Sequence, residues 1–257
     1  SCVVYCCFLQ AEDGIRDLVR SRGLGDVYKR QGTFETEEAI RAKVGDERVR
    51  SCTIGPAGER LVRFANLTND RGRQAGRTGL GAVMGSKLIK ALAIRGTRSV
   101  KVADPVNLMA ACNKLSEVAQ STKTEKYRIL GTPSNVLNMN RLGVLPTRNY
   151  QNGEFEGAEK VSGEYMKAHY TEKAVACYGC PIGCEQIAHV KQGPFAGART
   201  SIDYESLFAF GPNCGIDDIE AVIAAIDRCD SYGMDTCLLY TSPSPRDRTR
   251  PRMPSSA

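Results

Sequence analysis

At 257 residues with 42% apolar side chains, the chain can bury one substantial core or two small ones. No apolar run is long enough to span a bilayer, and no basic segment precedes the apolar start Val3–Leu9 as a secretory signal would require. Eleven cysteines without such a signal point to a reducing, cytoplasmic setting and to metal chemistry rather than a disulfide framework. The net charge of +6 lies largely at the ends, where Arg246, Arg248, Arg250 and Arg252 face Asp247 alone, so nucleic acid is not implied as a partner.

In chain order, Thr36 is placed to cap a short helix over Glu37–Val44, with Glu37 and Glu38 in its first turn. Alternation over 47–54 and 59–66 around Gly55-Pro56-Ala57-Gly58 predicts two strands and a turn, and Asn66–Asp70 a polar loop. Leu88–Arg95 and Ser99–Val102 read as a further strand pair around Gly96. Asp104-Pro105 opens a helix whose apolar positions Leu108, Ala111, Cys112, Leu115 and Val118 form one stripe, which predicts Cys112 in a core. Thr132-Pro133 opens a short helix to about Asn140, Leu145–Tyr150 is extended loop, and Ser162–His169 is helical. Asp203 opens an apolar helix ending near Gly211. Asp217 and Asp218 cap an amphipathic helix with Ile219, Val222, Ile223 and Ile226 on its buried face. His169 and His189 stand at no ligand spacing and read as structural. The fold class is α+β, a strand-bearing segment followed by a mainly α-helical one, with a boundary near residue 100.

Two stretches carry chemistry. From Arg71 to Lys87 the chain holds five glycines and four cations. There the backbone can approach an anion closely, and Arg73 and Arg77 can fork onto phosphate oxygens, although neither a Walker order nor a G-x-G-x-x-G is present. A glycine-rich turn with solvated arginines is the bland alternative. The second stretch is Cys177-Tyr-Gly-Cys180-Pro-Ile-Gly-Cys184, a C-x2-C-x3-C array. Pro181 and Gly183 argue against a regular helix, while Gly179 and Gly183 let N–H groups approach cluster sulfurs. Three thiolates suggest an iron–sulfur cluster short of one ligand.

The two ends differ in kind. Ala11–Gln31 and Cys237–Ala257 resemble translated sequencing-adapter read-through, the latter Ser/Pro/Arg-rich without periodic apolar positions. Residues 1–31 and 237–257 are therefore expected to be non-native, leaving Gly32 to about Thr236, incomplete at both ends.

From Gly32 to Thr236 these ordered motifs resemble the aldehyde:ferredoxin oxidoreductase family, tungsten or molybdenum enzymes with a bis-pyranopterin cofactor and one [4Fe–4S] cluster. The resemblance implies that 32–102 is the C-terminal part of a mixed β, pterin-binding N-terminal domain, and that 103–236 begins a mainly helical domain carrying the cysteines. It implies Cys177, Cys180 and Cys184 as three cluster ligands, and Arg73, Gln74, Gly76 and Arg77 at the pterin phosphates, Gln74 through its backbone. The family's D-x-x-G-[LM]-D element, which hydrogen-bonds the pterin ring, matches Asp230, Gly233, Met234 and Asp235. Its carboxylate near the metal matches Glu205, implied to be buried, with a raised pKa, and to orient or deprotonate water; an acid in a first helical turn serving only the helix dipole is the competing reading. Also implied are a magnesium ion, an aldehyde substrate, ferredoxin as acceptor, a homodimer of the full-length protein, and no membrane. The fourth cluster ligand and a second pterin element would lie beyond Thr236, so the 257-residue chain alone is expected not to hold the complete cofactor set. Four alternatives stay open: a pterin-free iron–sulfur carrier, radical chemistry on S-adenosylmethionine (whose usual spacing is the reverse), a structural zinc site, and a relative acting on glyceraldehyde phosphate or an aromatic acyl-CoA.

Overall fold

The computed structural model describes residues 2–8, 30–70, 72–96 and 101–239. Its first half forms one antiparallel sheet from β1 (Cys2–Phe8), β2 (Arg50–Thr53), β3 (Leu67–Asn69), β4 (Arg73–Ala75) and β5 (Ile89–Gly96), in the order β1-β5-β2-β3-β4. The helix α1 (Thr33–Val44) packs on it, closing a small core of Ile40, Val49, Ala91 and Ala93. That helix begins one turn before Thr36. Gly32 is the cap, with its N–H donating to the Glu35 carboxylate (3.1 Å), while the Thr36 hydroxyl donates to the Gly32 carbonyl (2.7 Å).

Two expectations fail between β2 and β4. Pro56–Glu59 is a one-turn helix, α2, with Pro56 at its first position, and 59–66 contains no strand; the strand is instead β3, within the stretch read as polar loop. The cause is close backbone packing. A second helix, α3 (Leu80–Ser86), lies so near α2 that a Cβ on Gly85 would sit 2.0 Å from the Gly58 carbonyl oxygen, which a strand–turn–strand could not allow. The Leu88–Arg95 strand appears as β5. Residues 97–100 of the expected Ser99–Val102 strand lie outside the described residues, and Lys101 and Val102 join no strand.

Among the flanking residues, Cys2–Phe8 lies antiparallel to β5 as an edge strand. The buried Lys90 ammonium donates to the Gln31 carbonyl (2.9 Å) and to Glu59 (2.6 Å), whose carboxylate also accepts the Arg30 N–H (3.0 Å). Burial pulls the Lys90 pKa down, and the Glu59 carboxylate opposes that pull. The rest of Ala11–Gln31, and residues 240–257, lie outside the described residues.

The second half is mainly helical: α4 (Pro105–Ala119), α5 (Glu125–Leu130), α6 (Asn135–Arg141), α7 (Gly163–His169), α8 (Tyr204–Phe210), α9 (Ile219–Tyr232) and α10 (Thr236–Leu239). It also holds a three-stranded antiparallel sheet that periodicity did not reveal, β6 (Thr171–Val175), β7 (Glu185–His189) and β8 (Arg199–Ile202). α9 packs on β8 and α8 packs on α9, over a core that includes Val136, Leu145, Met166, Ile202, Leu207 and Ile223. α9 is the expected amphipathic helix, capped by Asp218 and buried through Ile219, Val222, Ile223 and Ile226. α4 starts as expected, with Asp104 accepting the Asn107 N–H (3.0 Å), yet none of its residues is buried. Cys112 is exposed, not in a core, because the main neighbour of α4 among the described residues is the short turn Thr122–Thr124 that follows it. No helix among the described residues is long and apolar enough to cross a membrane.

Candidate cofactor and metal site

The cysteine array is the loop between β6 and β7, residues 176–184. As Pro181 and Gly183 foretold, it is not helical. The Cys180 N–H donates to the Cys177 carbonyl (3.0 Å) in a tight turn, and Gly179 and Gly183 take left-handed backbone angles (φ 72° and 64°). Cys177 is exposed, while Cys180 and Cys184 are partly buried. Burial pushes the Cys184 thiol up, and the neighbouring Cys177 adds to the effect. Among the described residues no three His, Cys, Asp or Glu side chains form a closed metal site. Three thiols on one short loop with two left-handed glycines could together hold a sulfur-bound metal.

The three-residue strand β4 connects this loop to the rest of the site. Arg73 Nη1 donates to Cys177 Sγ (3.0 Å), and its Nη2 pairs with Glu185, the first residue of β7. Side chains alternate along a strand, so the next residue, Gln74, points elsewhere. Its amide accepts from Asn66 Nδ2 (2.5 Å) and donates to the Asp230 carboxylate. Thr68 donates to Asn66 (3.2 Å), and Thr200 on β8 donates to the other Asp230 oxygen. Gln74 therefore contributes a side chain as well as a backbone. Asp230 is only 4% exposed. Burial pushes its carboxyl up to about 7, while the bonds from Thr200 and Gln74 pull it back.

The turn after α9 is stitched to the first sheet. Gly233 takes a left-handed angle (φ 70°) that closes α9, and its carbonyl accepts the Asn66 N–H (2.9 Å). A Cβ on the facing Gly55 would lie 2.2 Å from the Tyr232 carbonyl oxygen, so only glycine fits this junction. Met234 bridges to Ala65, and the Asp235 N–H donates to the Phe64 carbonyl (2.9 Å). Asp235 is buried, with one carboxylate oxygen accepting the Cys237 N–H (2.9 Å) and Oδ2 left without a hydrogen-bond partner. A buried orphan acceptor of this kind calls for a donor, and ring N–H groups of a pterin are such donors.

Two cavities meet at Arg73, which lines both. One of about 340 Å³ is bounded by Gly72, Gln74, Cys184, Asp203 and Asp230. The other, of about 930 Å³, runs along Cys177 and Tyr178. Gly76 and Arg77 follow β4 and line neither of them. Glu205 departs most from expectation: it lies in the first turn of α8 but is exposed, not buried, and lines neither cavity. Its helix neighbours Asp203 and Ser206 do face the smaller one, with Asp203 capping the Ser206 N–H (2.7 Å). Burial raises the Tyr204 phenol, and adjacent Glu205 adds to that rise. His169 stacks near Tyr165 (4.5 Å between ring centroids), and His189 Nδ1 lies 3.9 Å from Glu172. Glu185, Thr200 and Asn66 were not foreseen as parts of the site. Only Glu185, adjacent to Cys184, left a trace in the sequence.

The model of the aldehyde ferredoxin oxidoreductase N-terminal domain matches residues 17–96, and that of domains 2 and 3 matches 110–239. The chain is 43% identical over 207 residues to a tungsten-containing aldehyde ferredoxin oxidoreductase of Thermococcus kodakarensis, covering 79% of this chain and 33% of the relative. Against its namesake in Pyrococcus furiosus it is 42% identical with the same coverage. An aliphatic sulfonate oxidoreductase, WOR-like subunit, of Pyrococcus furiosus is 30% identical over 234 residues, 86% of this chain and 36% of that one. The active-site complex BamBC of benzoyl coenzyme A reductase with 1,5-dienoyl-CoA shares the fold at a TM-score of 0.65 and 23% identity, over 82% of this chain and 33% of that chain. The chain thus spans about a third of the length of the relatives it matches. With matches on both sides of residue 100 and the relatives' identity spread over four-fifths of its length, the chain belongs to the aldehyde ferredoxin oxidoreductase family.

Proposed function

We propose that this chain is part of an oxidoreductase that converts aldehydes to carboxylic acids and passes the electrons singly through a [4Fe–4S] cluster to ferredoxin. The observation that supports it most is the double reach of β4: Arg73 touches Cys177 while Gln74 touches Asp230. The cysteine loop and the polar pocket are thereby tied to one strand. In this reading Cys177, Cys180 and Cys184 hold the cluster with one further ligand. Arg73, Gln74, Gly76 and Arg77 serve the pterin phosphates, and Asp230 and Asp235, set apart by the Gly233-Met234 turn, accept from the pterin ring. Tungsten or molybdenum held by the pterins supplies, when bound, the two-electron oxidation of the aldehyde with oxygen drawn from water.

The chain's own residues position and charge this site. The Arg73 guanidinium, 3.0 Å from the Cys177 sulfur, sets a positive charge beside that proposed cluster ligand. Burial raises the Asp230 carboxyl to about 7, and its ionised form accepts N–H donors more strongly than the acid. Glu205, exposed in the first turn of α8 and outside both cavities, fits the reading of an acid that serves the helix dipole. We place the domain division at 102/103, after the first sheet.

The test is anaerobic isolation of the full-length protein that contains this chain, followed by metal analysis, pterin fluorescence after denaturation, and benzyl viologen reduction with acetaldehyde. Iron with tungsten or molybdenum, released pterin and aldehyde-dependent dye reduction are expected. Zinc with no visible iron–sulfur absorption would overturn the reading. The sulfonate oxidoreductase relative makes an aliphatic sulfonate the second substrate to assay.

A further inference from the structure

We propose that the Gln74 side-chain amide donates to the ring carbonyl that neighbours the N–H taken by Asp230, and that Asn66 fixes which end of the amide faces it. The inference rests on the reading of Asp230 as an acceptor for the pterin ring, and the Gln74 backbone keeps its place at the phosphates. Thr68 on β3 lies opposite Gln74 on β4, and Asn66, two residues before Thr68, falls on the same face of the sheet. On that face the hydrogen bonds run one way. The Thr68 hydroxyl donates to Asn66 Oδ1 (3.2 Å), Asn66 Nδ2 donates to Gln74 Oε1 (2.5 Å), and Gln74 Nε2 donates to Asp230 Oδ1. Asn66 and Thr68 are fully buried, and Asp230 is nearly so.

The direction of this relay has a physical cause. An ionised carboxylate only accepts, so Gln74 turns its NH2 end to Asp230 and its carbonyl to Asn66, whose Nδ2 meets it. An amide turned end for end would set oxygen against oxygen at Asp230 and nitrogen against nitrogen at Asn66. Gln74 Nε2 carries two hydrogens, of which Asp230 takes one, and among the described residues no second acceptor is bonded to it. Gln74 and Asp230 together line the cavity of about 340 Å³, whereas Asn66 lines neither cavity. Thr200 donates to the other Asp230 oxygen from β8 and so holds the carboxylate from its far side. The cavity wall thus presents an acceptor and a donor side by side. Their complement is a lactam edge, a ring N–H next to a carbonyl, and a pterin ring carries one. Gln74 is then a binding residue, and Asn66 is a positioning residue that acts through it.

The experiment uses the full-length protein that contains this chain, isolated anaerobically as wild type, Gln74→Met, Asn66→Leu and the double variant. Pterin released on denaturation is measured by its fluorescence and set against bound iron. Methionine keeps the length of the Gln74 side chain without its N–H, and leucine keeps the branching of Asn66 without its donor. Gln74→Met is expected to hold about threefold less pterin per iron, or lower still. Asn66→Leu alone is expected to lower the ratio severalfold, because the Gln74 amide is no longer held by its oxygen, yet to change nothing further in the Gln74→Met background. Gln74→Met that keeps the wild-type ratio, whether by retaining pterin or by losing iron in step with it, overturns the role of Gln74. An Asn66→Leu effect of the same size in both backgrounds overturns positioning through Gln74. In either case pterin in the wild type leaves the proposed function standing; wild type that releases no pterin fails the reading beneath both.

Discussion

Replacing Asp230 with Asn tests how the polar pocket is built. The carboxyl is 4% exposed, and its pKa is raised from an ordinary 3.8 to about 7, chiefly by burial. Between those values the unfolded chain has released its proton and the folded chain has kept it. Stability from this group is therefore complete below the unfolded value and is lost as pH rises through 7, at about 1.4 kcal/mol per pH unit inside the window. Asn has the same shape and does not titrate. Its Oδ1 can accept from Gln74, and its Nδ2 can donate to the Thr200 hydroxyl, so both hydrogen bonds survive. Urea unfolding followed by circular dichroism, at half-unit steps from pH 5 to 8, compares the two without ligand. The difference between them should move by roughly 3 kcal/mol across that range in favour of Asp230→Asn. The variant would then be the more stable protein at pH 8 and the poorer pterin acceptor. Parallel pH profiles, or a difference that moves toward wild type as pH rises, would refute the argument.

Two other outcomes follow from packing and exposure. Gly85→Ala should cost at least roughly 2 kcal/mol, since its Cβ would meet the Gly58 carbonyl oxygen at 2.0 Å and neither backbone can yield. Gly76→Ala is its control, with nothing within 4 Å of the added carbon, and should leave the urea midpoint unchanged. In metal-free protein at pH 8, iodoacetamide should label exposed Cys112 and Cys177 within minutes and spare Cys229, which is buried with its thiol pushed up to about 12, as peptide mass spectrometry can read. Early labelling of Cys229 would mean that α9 is not packed as described.

Much of the helical half was legible because its signals are local. Asp104-Pro105, Ser162 and Asp218 each cap the helix that their chemistry announces, and the α9 stripe shows at single-residue spacing. The β6–β8 sheet was not, since its strands are four or five residues long and mostly paired through a loop chosen for its thiols. Cys112 and Glu205, both expected to be buried, are exposed for a common reason. Periodicity and helix position say which face a residue occupies, whereas burial depends on what covers that face. The site was legible as separate motifs, and its joining was not. No spacing rule connects Gln74 to Asp230 or Arg73 to Cys177, contacts that exist because β4 pairs with β3 at one edge of the first sheet and the α9 turn docks beside it.

The claim most in need of measurement is that the cysteine loop and β4 form one metal site. Electron paramagnetic resonance of the dithionite-reduced full-length protein that contains this chain examines it directly, in wild type, Cys180→Ala and Arg73→Gln. The account predicts a single reduced [4Fe–4S] signal in wild type, its loss in Cys180→Ala, and in Arg73→Gln a cluster that survives with a more negative midpoint potential, because the cation beside Cys177 has gone. An unchanged cluster in Cys180→Ala, or a potential indifferent to Arg73, would contradict it.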